Sequence, residues 1–227
     1  HHHEIGDVLD AVGMDHAEPV QWQQRDLTLN DALAKVCLRQ VTIPLLQLLA
    51  QRDLEGSSPA ATAMRGGDQA VARYVQSVHV IDILLENHTR GLDPQAFVQA
   101  LRPLQPRLYS VASSPSRSPN RVALTVETLR YYWRKRARQG VASCWLADRV
   151  ELGDEVAVHR VKNSSFEFPK DHRPVIMVGA GTGIAPFRAY LSELEATQAA
   201  NETWLFFGHQ HERLDFLYAE EIARWRA

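Results

Sequence analysis

Cysteine is scarce in this sequence: Cys37 and Cys144 are the only two among 227 residues. They stand far apart, and neither has the CxxC or CxH neighbour that a metal site needs, so disulfide scaffolds and zinc-based folds lose their support. A reducing, cytoplasmic setting is the expectation. Long apolar runs are lacking too. No stretch reaches the roughly eighteen consecutive apolar residues of a membrane span, and the start HHHEIGDVLDA lacks the charged-then-apolar pattern of a signal peptide. A soluble chain without a membrane segment is expected. Nor does one sign of charge dominate: 25 Lys and Arg face 27 Asp and Glu, for a net charge of −2. Without a basic stripe to neutralise phosphates, nucleic acid is not an expected partner. Internal repeats and low-complexity tracts are absent as well. His1, His2 and His3 read as the remnant of a purification tag, since three adjacent terminal histidines have no scaffold to orient them on a metal.

What is present is a 45% apolar, 23% charged composition, enough for a core divided among two or three lobes. Residues 4–105 are expected to be mostly helical, because apolar residues recur at spacings of three and four. Thr28 before LNDALAKV reads as an N-cap. Asp93-Pro94 before QAFVQALRPL is a stronger start, with Asp accepting from free amides and Pro at the first helical position, where no N–H is needed. PLLQLLAQ (44–51) and DQAVARYVQSVHVIDILLEN (68–87) supply further apolar faces, and EGSSPAAT (55–62) reads as a loop between them. Over 106–171 the pattern turns to strands, RLYSVASS (107–114), RVALTVETLRYY (121–132) and EVAVHRV (155–161), separated by SPSRSPN and by Gly153-Asp154. This predicts an antiparallel zone. Over 172–227 a buried run VIMVG precedes a glycine-rich turn, a helix-like IAPFRAYLSELEA and a second buried run TWLFFG, which is a βαβ unit with parallel strands. The expected fold class is therefore mixed, α+β and α/β in several lobes.

The sharpest local motif is GAGTGIAP (179–186), directly after a buried strand and directly before a helix. Gly179, Gly181 and Gly183 allow a tight turn and close approach of a ligand, while the helix offers unpaired N–H groups and its positive dipole end. A pyrophosphate suits such a turn; a purely structural strand-to-helix turn is the alternative. The spacing is not GxGxxG, and no Lys-Ser/Thr pair follows as in a P-loop, which disfavours ATP hydrolysis. At Arg107-Leu108-Tyr109-Ser110 the alternation of a strand places Arg107 and Tyr109 on one surface and Leu108 and Ser110 on the other. A cation and an aromatic plane on one surface suit a flavin, but on these four residues alone an ordinary amphipathic strand is the favoured reading. Gly140-Val141-Ala142-Ser143 before CWLADRV reads as a short helix opened by a Ser N-cap; its small residues leave amides open to an anion, though taken singly plain capping is the favoured reading.

Taken together and in order, RLYSVASSP, TVETLRYY, GVASCWLADR, PVIMVGAGTGIAPFRAYL and WLFFGHQHERLDFLYAEE resemble the ferredoxin–NADP reductase-like half of the diflavin reductases. Within that family the flavoprotein subunit of assimilatory NADPH sulfite reductase is the most similar; cytochrome P450 reductase and the nitric oxide synthase reductase domain are more distant. The motifs cover 103–222 densely. Upstream, the resemblance rests on the helical insertion that the family places within its FAD barrel.

The resemblance implies a helical connecting insertion at 4–105, an incomplete antiparallel FAD-binding barrel at 106–171 and a truncated parallel NADP-binding α/β domain at 172–227. It implies that Tyr109 stacks on the flavin, Arg107 holds the FAD phosphate and Ser110 sits near N5 as the catalytic hydroxyl, with Leu108 between them. Thr125, Val126, Glu127 and Tyr131 fall on the next FAD-lining strand, Gly140, Val141, Ala142 and Ser143 bind the FAD pyrophosphate, and Thr42 aligns with another FAD contact. Gly179, Gly181, Thr182, Gly183 and Pro186 receive NADPH. The implied activity is a flavoprotein oxidoreductase passing hydride from NADPH to FAD and electrons onward to FMN or a protein acceptor, in sulfite reduction. The implied partners are an FMN-binding flavodoxin-like domain or protein and a sulfite reductase haemoprotein subunit.

Both ends fall short of the family pattern, so a fragment of a longer protein is expected, and the choice of NADPH over NADH comes from the resemblance. A stand-alone flavodoxin reductase is the alternative enzyme, disfavoured by the insertion at 4–105; a non-catalytic docking scaffold is the alternative of another class. His209 and His211 read as surface polar residues, not a metal pair, Asp215 as a cap before the next helix, and Arg134–Arg138 as a solvated basic turn with an acidic docking partner as the minority reading.

Overall fold

Proline and capping residues set most helix starts in the N-terminal region. In this computed structural model the described residues are 2–87, 89, 91–169 and 171–226, with His2 and His3 described through their backbone only. His1 of the tag remnant, Lys170 inside the expected antiparallel zone and Ala227 lie outside them. The chain divides into two compact units, His1–Pro106 and Arg107–Ala227.

In the first unit α1 (His2–Val12), α2 (Leu29–Leu33), α3 (Ile43–Ala50), α4 (Pro59–Arg65), α5 (Asp68–Ser77), α6 (Val80–Glu86) and α7 (Pro94–Gln99) bear out the helical expectation. Thr28 accepts from the Asp31 N–H at 3.1 Å, and Asp93 from the Ala96 N–H at 2.7 Å, with Pro94 in the first turn. Two expectations are corrected. Residues 19–28 form a hairpin, β1 (Pro19–Trp22) against β2 (Arg25–Thr28), turned by Gln23 and Gln24 at φ of 49° and 64°; Val20 and Trp22 alternate into the core, a period of two inside a helical neighbourhood. The loop read at 55–62 ends early, because Ser58 caps the Ala61 N–H at 3.3 Å and Pro59 opens α4.

The core gathers Leu29 and Leu33 of α2, Leu45, Leu46 and Leu49 of α3, most of α6, and Phe97 and Val98 of α7. Helix α1 packs on α6, and α3 on α4. Each fully buried side chain of this kind contributes about 1.5–3 kcal/mol. The end of the unit is pinned by the Cys37 N–H to Arg102 carbonyl bond (2.7 Å) and the Leu104 N–H to Lys35 carbonyl bond (2.8 Å).

The second unit holds less regular structure than expected before residue 172. Of the strand at 107–114 only an antiparallel bridge remains, Val111 to Leu124, supported by the Ala112 N–H on the Ala123 carbonyl at 2.7 Å. The strand at 121–132 contributes its last residues to β3 (Arg130–Trp133), which pairs with β4 (Arg136–Gln139). Residues 155–161 have no strand, and Val158 is 83% exposed; alternating valines cannot make a strand without a ladder partner, and none lies among the described residues. No closed barrel forms among them. The basic turn shrinks to Arg134 and Lys135, at φ of 47° and 61°, while Arg138 sits in β4 at 4% exposure.

Helix α8 (Val141–Asp148) begins two residues before Ser143, so the Ser N-cap is corrected. Gly140 holds the cap position, and the Ser143 hydroxyl accepts the Leu129 N–H at 3.2 Å instead. Beyond residue 172 the βαβ unit stands as read. Strand β5 (Val175–Ala180) runs parallel to β6 (Thr203–Gly208), from Val175 opposite Thr203 to Ala180 opposite Gly208. A 3₁₀ turn (Gly181–Ile184) and α9 (Ala185–Thr197) connect them, and α10 (Glu212–Asp215) and α11 (Ala219–Arg226) follow. Met177, Phe187 and Tyr190 form the buried centre, with Phe168 stacked on Tyr190 at 4.1 Å between ring centroids. No helix among the described residues is long and apolar enough to cross a membrane.

Candidate functional site

The turn after β5 requires glycine at two of its positions. A methyl group on Gly179 would lie 2.9 Å from the Phe187 ring and 3.0 Å from the Gly183 carbonyl, where nothing can give except by moving α9. Gly181 takes a φ of 52°, while the side of Gly183 meets nothing within 4 Å, so that its backbone is open to approach. No side chain caps the 3₁₀ turn or the start of α9. The Ala185 N–H is satisfied by the Thr182 carbonyl, and Pro186, in the first turn of α9, has no N–H to satisfy. The amides of the turn itself are left without a side-chain acceptor, at the positive end of a thirteen-residue helix. Such a cradle accepts an anion, and a diphosphate fits its donor set.

Beside this turn the structure adds residues that the sequence reading set aside. His209 follows β6 directly; a carbon on Gly181 would stand 3.4 Å from its Nε2. Its Nδ1 lies 2.6 Å from the Asp215 carboxylate, with both side chains about three-quarters buried at 23% and 22% exposure. The other Asp215 oxygen accepts the His211 N–H at 2.8 Å. Asp215, the last residue of α10, thus turns back over His209 instead of capping α11, and His209 and His211 are both exposed as read, although the His209 ring is partly covered. The signal was available in the topology: parallel strands end at the same edge, so the residue after the second strand lies beside the turn after the first.

A second glycine-led turn with an uncapped helix start is Gly140–Ser143. A carbon on Gly140 would come within 2.2 Å of the Ser143 hydroxyl oxygen and 3.1 Å of Leu129. With Ser143 committed to Leu129 and no side chain capping α8, Val141 and Ala142, both half-buried, present amides without a side-chain acceptor.

The remaining candidates lie on irregular backbone. Arg107, Leu108 and Ser110 are exposed and Tyr109 is half-buried, so the two-faced strand expected there is not formed; cation and aromatic ring are nevertheless both open to a ligand. Thr125 bonds the Tyr218 hydroxyl at 2.7 Å. Val126 is half-buried and Glu127 exposed, while Tyr131 stands opposite Arg138 in the β3–β4 ladder. Thr42 belongs to the first unit, where its hydroxyl caps the Leu45 N–H at 3.1 Å and donates to the Ala100 carbonyl. This is a complete structural role for that residue.

Two family models match the chain. The FAD binding domain matches residues 61–145, crossing from the first unit into the second, and the oxidoreductase NAD-binding domain matches 177–227. Among curated proteins, the sulfite reductase (NADPH) flavoprotein alpha-component of Mannheimia succiniciproducens is 39% identical over 219 residues, which are 96% of this chain and 36% of that relative. The protein of the same description from Bacillus subtilis (strain 168) is 40% identical over 187 residues, 82% of this chain and 31% of the relative. That of Escherichia coli (strain K12) is 36% identical over 222 residues, 97% and 37% respectively. The chain spans about a third of the length of these relatives. These findings bear out the resemblance drawn from the motifs.

Proposed function

We propose that this chain is the FAD- and nicotinamide-binding part of a flavoprotein reductase that takes electrons from NADPH and passes them to FMN in sulfite reduction. The observation that carries the reading is the uncapped glycine turn between β5 and α9, preceded in order by RLYS and GVAS. Its likeness to sulfite reductase flavoproteins over nearly the whole chain supports it.

In this reading the amides of Gly181, Thr182 and Gly183 hold the nucleotide diphosphate, with Gly179 and Pro186 shaping the turn. Val141 and Ala142, between Gly140 and Ser143, hold the FAD diphosphate. Arg107 pairs with a phosphate, Tyr109 covers the flavin ring, and Leu108, Thr125, Val126, Glu127 and Tyr131 line the remainder of its site. The flavin contact at Thr42 rests on the resemblance alone. When both cofactors are bound, the nicotinamide supplies a hydride that the flavin accepts as a pair of electrons and can release singly. The protein's share is orientation and electrostatics: Ser110 offers a hydroxyl beside the reacting edge, and helix ends neutralise phosphate charge before the rings meet. Three lobes are proposed, the helical insertion 4–105, an FAD-binding barrel portion 106–171 and the NADP-binding portion 172–227. The proposed partners are an FMN-binding flavodoxin-like domain and the sulfite reductase haemoprotein, in the cytoplasm.

The test is the visible spectrum of the full-length protein, recorded anaerobically before and after NADPH. Flavin bands near about 450 nm that bleach with NADPH are expected. Protein that takes up no flavin when FAD is added overturns the proposal.

A further inference from the structure

One side chain on α9, Arg188, gathers several parts of the second unit. Both oxygens of Glu221, on α11, accept from Arg188, at 2.9 Å from Nε and 2.7 Å from Nη2. Its Nη1 donates to the carbonyl of Ala112 at 2.5 Å, and the guanidinium carbon lies 4.4 Å from the centre of the Tyr218 ring. The Tyr218 hydroxyl in turn meets Thr125, and Tyr218 holds a left-handed φ of 58°, a conformation that a bulky aromatic residue keeps only when its surroundings fix it. Arg188 and Glu221 are 20% and 28% exposed. The bidentate bond to Glu221 holds the guanidinium firmly in its charged form.

The partners of this cluster are not scattered. Ala112 follows Ser110 by two residues and is fully buried; its own N–H bonds to Ala123, two residues before Thr125. Two of the segments that carry proposed flavin contacts, those of Ser110 and Thr125, are therefore tied to Arg188, one through a carbonyl and one through Tyr218. Arg188 itself sits two residues after Pro186, on the helix that opens at the glycine turn.

We propose that Arg188 is a positioning residue: with Glu221 and Tyr218 it fixes the segments bearing Tyr109, Ser110 and Thr125 relative to the nucleotide turn, and so sets the geometry of hydride transfer without touching either cofactor. The inference rests on the proposed function. A bridge that served stability alone would, when removed, lower the melting temperature and flavin content together and leave the surviving holoprotein equally fast. A positioning residue separates these quantities, because a displacement of about 1 Å between reacting groups is enough to cost roughly a hundredfold in rate.

The experiment uses the full-length protein and the variants Arg188→Met, Arg188→Lys and Tyr218→Phe. FAD content, NADP⁺ affinity by calorimetry, the single-turnover rate of flavin reduction by NADPH, and amide exchange over 109–127 are compared with the unmodified protein. Arg188→Met is expected to keep its FAD and to bind NADP⁺ within about twofold, yet to reduce its flavin at least ~10-fold more slowly, with faster exchange over 109–127. Arg188→Lys should recover little of the rate, since an ammonium cannot hold Glu221 by two parallel bonds and reach Ala112 as well. Tyr218→Phe keeps the ring under the guanidinium and loses only the Thr125 bond, so a decrease of about two- to threefold is expected; because it is nearly isosteric, it decides the matter if Arg188→Met does not fold. Flavin reduction at the unmodified rate in FAD-loaded Arg188→Met or Tyr218→Phe, or unchanged exchange over 109–127, overturns this inference alone. An unmodified protein that binds no FAD overturns the proposed function, and this inference with it.

Discussion

In the first unit Leu29, Leu33, Leu45, Ile83 and Phe97 all reach 0% exposure within one continuous core, whereas in the second the buried centre reduces to Met177, Phe187 and Tyr190. Ile176, Val178, Trp204 and Phe206, on the opposite face of the β5–β6 sheet, are all more than half exposed. The second unit relies instead on polar clamps. Glu193 takes bonds from the Ser114 and Ser116 hydroxyls, both at 2.5 Å, Glu195 gathers Arg117, Arg224 and Trp225, and Arg188 ties Glu221 to Ala112. The first unit places its residues by exclusion of water. The second places them by direction.

The contrast can be broken most sharply from the first unit. Phe97→Ala is expected to cost about 3–5 kcal/mol, a cavity in a core with no slack, read as a shift in the urea midpoint. Gly140→Ala in the second unit should cost about 1–3 kcal/mol, because the new methyl group collides with Ser143 and Leu129; an unchanged midpoint would mean that α8 can slide. Thr42→Ala removes a cap and a bond to Ala100, and a loss of about 1 kcal/mol in the same assay is expected.

The clamps should also give the second unit its own acid sensitivity. Hydrogen bonds from Ser114 first, and then Ser116, hold the Glu193 carboxyl below the usual carboxylate range. A depressed folded value means that this contribution is fully present above the unfolded value of about 4.3 and is lost as pH falls through the folded one. Glu193→Gln should therefore flatten the decline in urea midpoint between about pH 6 and about pH 3; an identical slope would remove Glu193 from the account. At the small end, Val178→Ala, on the exposed sheet face, should change stability by no more than about 0.5 kcal/mol.

The parts of this structure governed by local chemistry were legible in the sequence. Thr28 and Asp93 cap as read, because an N-cap needs only its own turn. The βαβ unit and its glycine turn follow from two buried runs and the residues between them. Expectations failed where a distant partner decides. VAVHRV at 156–161 alternates like a strand but finds no ladder, the Val20 and Trp22 alternation is too short to stand out among helices, and Ser143 is claimed by the Leu129 amide, fourteen residues away. The site divides in the same way. Its backbone donors were visible as glycines and small residues, whereas His209, Asp215, Arg188 and Tyr218, although they lie within the quoted motifs, gain their partners only from the topology.

The start of α8 carries one more consequence. The Leu129 N–H is held by Ser143, and its carbonyl accepts from both the Gly140 N–H at 2.7 Å and the Cys144 thiol at 3.3 Å. The approach to β3 thus cannot open unless the first turn of α8 frays, and the helix end cannot fray without releasing Leu129. A single amide proton becomes a clock for that end of the helix: an anion seated on Val141 and Ala142 would slow its exchange with solvent at a position it never contacts.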